Sequence, residues 1–134
     1  MKIQVILGRP LSGKTQRIID ELNSVSGKSV LLSLENPKDL MIQRGLNEKI
    51  MIIDSDDITQ EEMETCCNQN AIEVIGIDYI EIMPLHLDLQ ALLNSLKETS
   101  VKRILITSVL TRNDQMTDHL KRRIGLLQPE YTRI

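Results

Sequence analysis

Short apolar runs alternate with amphipathic stretches along the whole chain. The runs are rich in Ile, Leu and Val, as buried strands are. They predict strands at residues 2–7, 29–34, 50–54, 72–78 and 101–107. Beyond Ser108 the pattern loosens into a short helix at 117–123 and an edge strand from Leu126. The alternation predicts an α/β fold with a mostly parallel sheet of five or six strands, flanked by helices on both faces.

Helices are expected between successive strands. One is predicted at residues 14–23 and another at 87–96. Pro37 is suited to the first position of a helix after the second strand. Thr59 and Glu62 have the spacing of a capping box, which predicts a further helix start. The side chains expected to face the core are Ile18, Ile19 and Leu22 in the first helix and Ile58, Met63 and Cys66 or Cys67 in the third.

The turn between the first strand and the first helix has the pattern GxxxxGK[ST]. It consists of Gly8, Arg9, Pro10, Leu11, Ser12, Gly13, Lys14 and Thr15. After a strand and before a helix, such a loop directs backbone N–H groups inward and binds phosphate. Lys14 is then expected to reach the β- and γ-phosphates, and Thr15 to hold Mg²⁺. The alternative is a glycine-containing turn that binds nothing.

Two acidic residues follow predicted strands and are candidates for the chemistry of a nucleotide site. Asp78 ends a strand at the rim where a parallel sheet opens to its ligand, and is a candidate Mg²⁺ ligand. Glu35 follows the second strand and is a candidate base for polarising an attacking water. The alternatives are a turn-capping aspartate and an exposed acid in a helix-opening loop. His86 and His119 have no metal-like or triad-like neighbours and are expected at the surface.

Composition narrows the classes of function. A chain of 134 residues fits one domain, residues 1–134. Tyr79 and Tyr131 are its only aromatic residues, so the core must be aliphatic and base-stacking platforms are nearly absent. Adjacent Cys66 and Cys67 lack metal-ligand spacing and are expected to be packed or idle thiols. No signal peptide or long apolar run is present, which predicts a cytoplasmic protein without a membrane partner.

Charge is unevenly distributed. The formal net charge is −3, yet residues 101–134 carry seven basic and three acidic side chains. The exposed cations of this part are predicted to be Arg112, Lys121, Arg122 and Arg123. They form either a surface that faces phosphate or a partner, or a solvated helix face.

Four segments, in order, resemble the ATP-site motifs of the DnaB-type replicative helicase motor domain. They are GRPLSGKT (8–15), SLENPKDLMIQR (33–44), VIGIDYIEIM (74–83) and ITSVLTR (106–112). The likeness spans nearly the whole chain. It implies a RecA-like P-loop NTPase fold that binds ATP with Mg²⁺.

The resemblance also implies roles for individual residues. Lys14 and Thr15 match the residues on phosphate and Mg²⁺, Glu35 the catalytic glutamate, and Asp78 the aspartate of the second motif. Arg44 matches an arginine that follows the second motif. Arg112 matches the arginine that closes the fourth motif and is expected among the nucleotide-binding residues. Partners implied by the family are single-stranded DNA, a replicative helicase, or further copies of this chain in a ring.

The chain departs from the family pattern at points that concern subunit coupling and DNA binding. Val109 stands where the family has a glutamine that senses the γ-phosphate, and valine cannot hydrogen-bond to phosphate. The segment after Met83 is reduced to a few residues around Pro84. The segment with the arginine finger and the N-terminal collar domain are also expected to be missing. Since an arginine finger accelerates hydrolysis by orders of magnitude, slow turnover is expected.

Three functions remain open at this stage. The first is a minimal RecA-like ATPase related to helicase motors. The second is a nucleotide-binding loader, inhibitor or adaptor that docks on a replicative helicase without turnover. The third is a small-molecule P-loop kinase, in which Lys121, Arg122 and Arg123 would form a phosphate-covering lid.

Overall fold

Six strands form one sheet in the computed structural model, which describes residues 1–134. The strands are β1 (Lys2–Gly8), β2 (Ser29–Ser33), β3 (Met51–Ile53), β4 (Val74–Asp78), β5 (Arg103–Val109) and β6 (Glu130–Arg133). Their order is β3-β2-β4-β5-β1-β6, and every neighbouring pair is parallel. The predicted α/β class, the parallel sheet and the sixth edge strand are confirmed.

Five helices connect the strands. They are α1 (Lys14–Asn23), α2 (Lys38–Gln43), α3 (Gln60–Gln69), α4 (Leu89–Ser95) and α5 (Asp118–Ile124), and one 3₁₀ turn spans Ile80–Ile82. The predicted capping box is confirmed, because Thr59 and Glu62 each accept from the other's backbone N–H. Pro37 lies one position earlier than predicted, as the N-cap residue of α2. The ψ angle of Pro37 is 166°, which is extended, so this residue lies just before the helix. Its φ of −68° would suit both the N-cap and the first helical position.

Helices cover both faces of the sheet, as predicted. On one face α1 and α2 bury Ile18, Ile19, Leu22 and Met41. On the other, α3, α4 and α5 bury a larger cluster that includes Met63, Leu92 and Leu120. Helices whose strands step toward β3 lie on the first face, and helices whose strands step toward β6 lie on the second. All crossovers therefore have the same hand, as expected of a parallel sheet. The core is aliphatic, and Cys67 is fully buried in it.

Several predicted boundaries shift by two to four residues. β4 and β5 begin two residues later than expected, and Ile72 and Val101 lie buried just before them. β5 extends to Val109 because that residue pairs with Gly8 of β1. α4 begins at Leu89 because Asp88 caps it. β6 begins at Glu130, four residues after Leu126, since Gly125 ends α5 at φ 57° and Pro129 has no N–H to donate to a neighbouring strand.

Candidate functional site

The candidate site lies at the carboxyl edge of the sheet. There β1 continues into α1 on one face, whereas its neighbour β5 continues into α5 on the other. The same divergence separates β2 from β4. Such switch points open a crevice between strand ends, where α/β proteins bind ligands. The phosphate-loop sequence, Glu35 and Asp78 all follow strands at this edge, as predicted.

The loop from Gly8 to Thr15 has the tight backbone that its sequence predicts. A Cβ atom at Gly8 would lie 2.2 Å from Ser12 Oγ, so a larger residue there would force the Ser12 side chain to move. Leu11 and Gly13 have positive φ angles of 62° and 93°, which turn the chain between strand and helix. No side chain caps the N-terminus of α1. Its first N–H groups and its positive dipole end are therefore available to an anion.

Lys14 is directed into this loop. Its ammonium donates to the carbonyl of Arg9 at 2.7 Å and lies 3.5 Å from Ser12 Oγ. Burial lowers the pKa of Lys14, while three nearby carboxylates raise it. These carboxylates belong to Asp78, Glu81 and Glu35. The loop thus holds a largely buried cation at its centre, beside the uncapped end of α1.

Asp78 connects the loop to the middle of the sheet. Its carboxylate accepts from Thr15 Oγ1 at 3.2 Å and from Thr107 Oγ1 at 2.7 Å, and Asp78 is only 4% exposed. Burial raises the pKa of this carboxyl, and the two threonine hydroxyls lower it. Tyr79 follows in a left-handed conformation, with φ 71°, and its N–H donates to Thr107. Backbone strain of this kind commonly lies beside functional residues.

The residues present fit a magnesium ion that also binds phosphate. No group of three or more His, Cys, Asp or Glu side chains is arranged to hold a metal. Thr15 and Asp78 alone bring two oxygens together. Mg²⁺ in nucleotide sites is commonly held by one or two protein oxygens, with phosphate oxygens and waters completing its octahedron. The donor set therefore matches a nucleotide-bound Mg²⁺ rather than an all-protein metal site.

Glu35 lies on the same edge but is exposed. β2 ends at Ser33, which is in register with Asp78 of β4. The Ser33 hydroxyl donates to the carbonyl of Asn36 at 2.7 Å and closes the turn that carries Glu35. Arg44, at the end of α2, is close enough for its charge to lower the pKa of Asp78. The structure thus brings the second predicted motif alongside the loop, without a direct hydrogen bond between them.

Glu81 is a central residue that the sequence analysis missed. Its carboxylate accepts from Ser108 Oγ at 2.7 Å, from the N–H of Val109 at 3.0 Å and from Thr117 Oγ1 at 2.6 Å. It joins the 3₁₀ turn after β4 to the end of β5 and to the N-cap of α5. The only signal in the sequence is an acid within the apolar run 80–83. Its three donors lie 27 to 36 residues away, so no local pattern shows them.

The segment after β5 also contacts the loop. Arg9 forms a bidentate ion pair with Asp114, at 2.6 and 2.7 Å. Asp114 has a φ of 57°, and its carbonyl accepts from Arg133. Arg112, which was placed among the nucleotide-binding residues, lies exposed in the same segment. The side chain that joins this segment to the loop is therefore Asp114 and not Arg112.

The predicted basic surface of the C-terminal third is only partly present. Arg123 points inward and donates to the backbone carbonyls of Met83, Pro84 and Leu87. It also donates to the ring of His119, which is half-buried rather than at the surface as predicted. Burial and then the charge of Arg123 lower the pKa of this histidine. Lys121 and Arg122 are exposed. Of the three cations that the kinase hypothesis assigns to a lid, only these two are free to reach a phosphate.

Comparisons with other proteins do not assign the chain to a family. No protein-family model matches the chain, and no curated protein matches it. None of the helices combines the length and the apolar character that a membrane span requires.

Proposed function

We propose that this chain is a RecA-like P-loop ATPase domain that binds Mg–ATP and hydrolyses it slowly. The observation that carries the proposal is the meeting of Lys14, Thr15 and Asp78 at one strand edge, with Thr15 Oγ1 3.2 Å from the Asp78 carboxylate. A phosphate-loop sequence alone is compatible with an empty turn. A buried acid that contacts the loop hydroxyl from a different strand is what a metal–phosphate site needs.

Binding follows from the groups at the loop. The first N–H groups of α1 and the Lys14 ammonium supply donors and positive charge for the phosphates. Lys14 would exchange the Arg9 carbonyl for phosphate oxygens. Thr15 and Asp78 would hold the magnesium ion, which supplies charge neutralisation between the phosphates. The choice of ATP over GTP rests on the resemblance to helicase motors, because no residue that would recognise the base is identified.

Glu35 is the proposed general base. It lies on the same rim as Lys14, close enough for its charge to raise the pKa of that lysine, and it is exposed to solvent, where it can orient and deprotonate a water molecule. Slow turnover is expected because the fourth motif lacks a polar side chain at Val109. The N–H of Val109 is held by Glu81, so this position is anchored within the fold rather than directed at phosphate.

The binding step is tested by Lys14→Ala, with a fluorescent ATP analogue and Mg²⁺ titrated into the protein. Loss of a charge-assisted contact should weaken affinity by about 10- to 100-fold. Lys97→Ala, which removes an exposed lysine between α4 and β5, is the matched control and should bind like the wild type. Equal affinity in all three proteins would contradict nucleotide binding by this loop.

Catalysis is tested separately by Glu35→Gln. Hydrolysis should fall by about 10²- to 10⁴-fold while ATP affinity is kept. Glu48→Gln, at another exposed glutamate, controls for the change in charge. Phosphate release should be measured with and without single-stranded DNA, because the resemblance implies a DNA partner. If the wild type is no faster than the Glu35 variant, the chain binds ATP without hydrolysing it.

A second candidate function is a nucleotide-bound adaptor that docks on a replicative helicase. Two observations favour it: Val109 offers no side-chain contact to phosphate, and Leu11 is fully exposed at the tip of the loop. An apolar side chain there suits a protein contact beside the nucleotide. Co-elution with a replicative helicase in the presence of ATP, lost in Leu11→Ser, would support docking. Absence of co-elution both with and without ATP would exclude it.

A further inference from the structure

A cavity of about 600 Å³ lies at the opposite edge of the sheet from the phosphate loop. It is formed where α1 and α3 end and where β2 and β3 begin. α1 has its first residue, Lys14, in the loop and its last, Asn23, in the cavity wall. Ten residues of helix span about 15 Å. The two places are therefore distinct, and a small ligand in one leaves the other free.

The cavity walls are held by hydrogen bonds between loops. The Asn23 amide donates to the carbonyl of Gly45 and accepts from the N–H of Asn47, each at 2.8 Å. Asn47 in turn accepts from the N–H of Lys49 at 2.9 Å. These bonds fix the segment after α2 against the end of α1. The cavity is thus preformed, as most small-molecule sites are, and its volume lies in their usual range.

Its floor and rim differ in character. Apolar side chains contribute the floor, among them Leu22, Ile50 and Ile72, all less than a tenth exposed. Ser29 also lines the cavity, and its buried hydroxyl has no hydrogen-bond partner. An unpaired hydroxyl in a cavity wall is unusual, because buried polar groups are nearly always paired.

The charged residues of the lining are both basic. Lys28 and Lys49 are exposed, and neither takes part in an ion pair. Glu73, whose carboxylate lies against Gly27, is already paired with Lys102 at 3.2 Å. No aspartate or glutamate lines the cavity. Two free ammonium groups beside an apolar floor select a ligand with a negative group and an apolar body.

We propose that this cavity, with Lys28 and Lys49 at its rim, binds a small amphipathic organic anion: a carboxylate, sulfonate or phosphate monoester on an apolar body. The anionic group lies between the two lysines, and the apolar part covers Leu22, Ile50 and Ile72. This site is independent of the proposed ATPase function.

The experiment uses 8-anilinonaphthalene-1-sulfonate, a fluorescent dye that is an amphipathic anion. Titration should give saturable binding of one dye per chain, and amide chemical shifts should change at Lys28, Ser29, Asn47 and Ile50. Octanoate should displace the dye and octylamine should not, since only the first is an anion. Millimolar Mg–ATP should leave the dye bound.

Two variants and a matched control complete the test. Lys28→Glu with Lys49→Glu reverses the rim charge, and Ser26→Trp fills the cavity without changing charge; each should weaken dye affinity by at least about tenfold. Lys97→Glu with Lys121→Glu makes the same charge change elsewhere and should bind like the wild type. Thermal unfolding confirms that each variant is folded. Equal affinity in all proteins, shift changes outside the cavity, or displacement by Mg–ATP would overturn the proposal.

Discussion

The hydroxyl of Thr15 donates to the carboxylate of Asp78 at 3.2 Å, across 63 residues of sequence. This contact joins the start of α1 to the end of β4, and both oxygens belong to the proposed metal site. Asp78 accepts a second hydroxyl from Thr107, yet burial still raises its pKa. The free protein therefore holds this carboxyl at a position where burial disfavours its charged form.

Asp78→Asn should stabilise the protein without ligand at pH 7 and abolish stabilisation by Mg²⁺ with ATP. The substitution removes the buried charge and keeps the side-chain size. A relief of about 1 kcal/mol corresponds to a rise of roughly 3–6 °C in the melting temperature of a domain of this size. Thermal unfolding with and without Mg–ATP measures both effects. A variant that melts well below the wild type would show that the carboxylate is needed for the fold itself.

The raised pKa of Asp78 makes the stability of the protein depend on pH. A carboxyl whose pKa is raised on folding binds its proton more tightly in the folded state, so the wild type loses stability as pH rises through the folded pKa. The advantage of Asp78→Asn should thus be largest at neutral pH. It should shrink as pH falls through that raised value. Urea unfolding of both proteins between pH 4 and pH 8 tests this, and a constant difference would contradict it.

Glu81→Gln should destabilise the protein by about 1–3 kcal/mol. The carboxylate accepts three hydrogen bonds, whereas a glutamine has one acceptor oxygen, so its NH₂ group would face a hydroxyl that has to turn from donor to acceptor. Because Thr117 is the N-cap of α5, the amide groups of the first turn of that helix should exchange faster. Glu98→Gln is the control, since Glu98 is exposed. Similar unfolding of the two variants would mean that Glu81 does not hold these elements together.

Gly8→Ala should distort the phosphate loop through a specific clash. The added Cβ would lie 2.2 Å from Ser12 Oγ and 3.0 Å from Lys14 Cγ. ATP affinity should fall, and Gly8→Ala with Ser12→Ala should recover part of it because the second change removes the closer atom. Affinities of the wild type, the two single variants and the pair decide the matter. If Ser12→Ala gives no recovery, the close approach of these two residues is not what requires glycine.

Arg9→Ala and Asp114→Ala should each weaken ATP affinity a few-fold, and the pair should be no weaker than either one. The ion pair is exposed, so it contributes little to global stability, but it holds the loop against the segment after β5. The effect should fade in 1 M salt, where the charges are screened. Additive losses in the double variant would show that the two side chains act independently.

Local patterns predicted the parts of the structure that local interactions form. The capping box of Thr59 and Glu62, the buried face of α1 and the acid at the end of β4 all follow from the spacing of neighbouring residues. Parallel strands then place Asp78 and the loop at one edge, whatever their order in the sheet. For that reason the candidate site could be assembled before the sheet order was known.

Contacts between distant segments could not be predicted in this way. Arg9 and Asp114 are 105 residues apart, and neither stands in a pattern that indicates the other. Arg123 belongs to a run of basic residues, yet it points inward because three backbone carbonyls near Met83 accept its hydrogen bonds. The cavity at Ser29 has no motif, because its walls come from loops and helix ends that meet only in the folded sheet.

The position of β1 has a consequence for how the chain folds. β1 pairs with β5 and β6, whose residues lie about a hundred positions or more further along, and with no other strand. During synthesis its apolar side chains emerge about a hundred residues before those of β5, and they find their partners only after Arg103 has left the ribosome. Pairing over such long separations is slow, so we expect slow refolding and a need for protection of the nascent chain. The strand that precedes the phosphate loop is thus synthesised long before the two strands that pair with it.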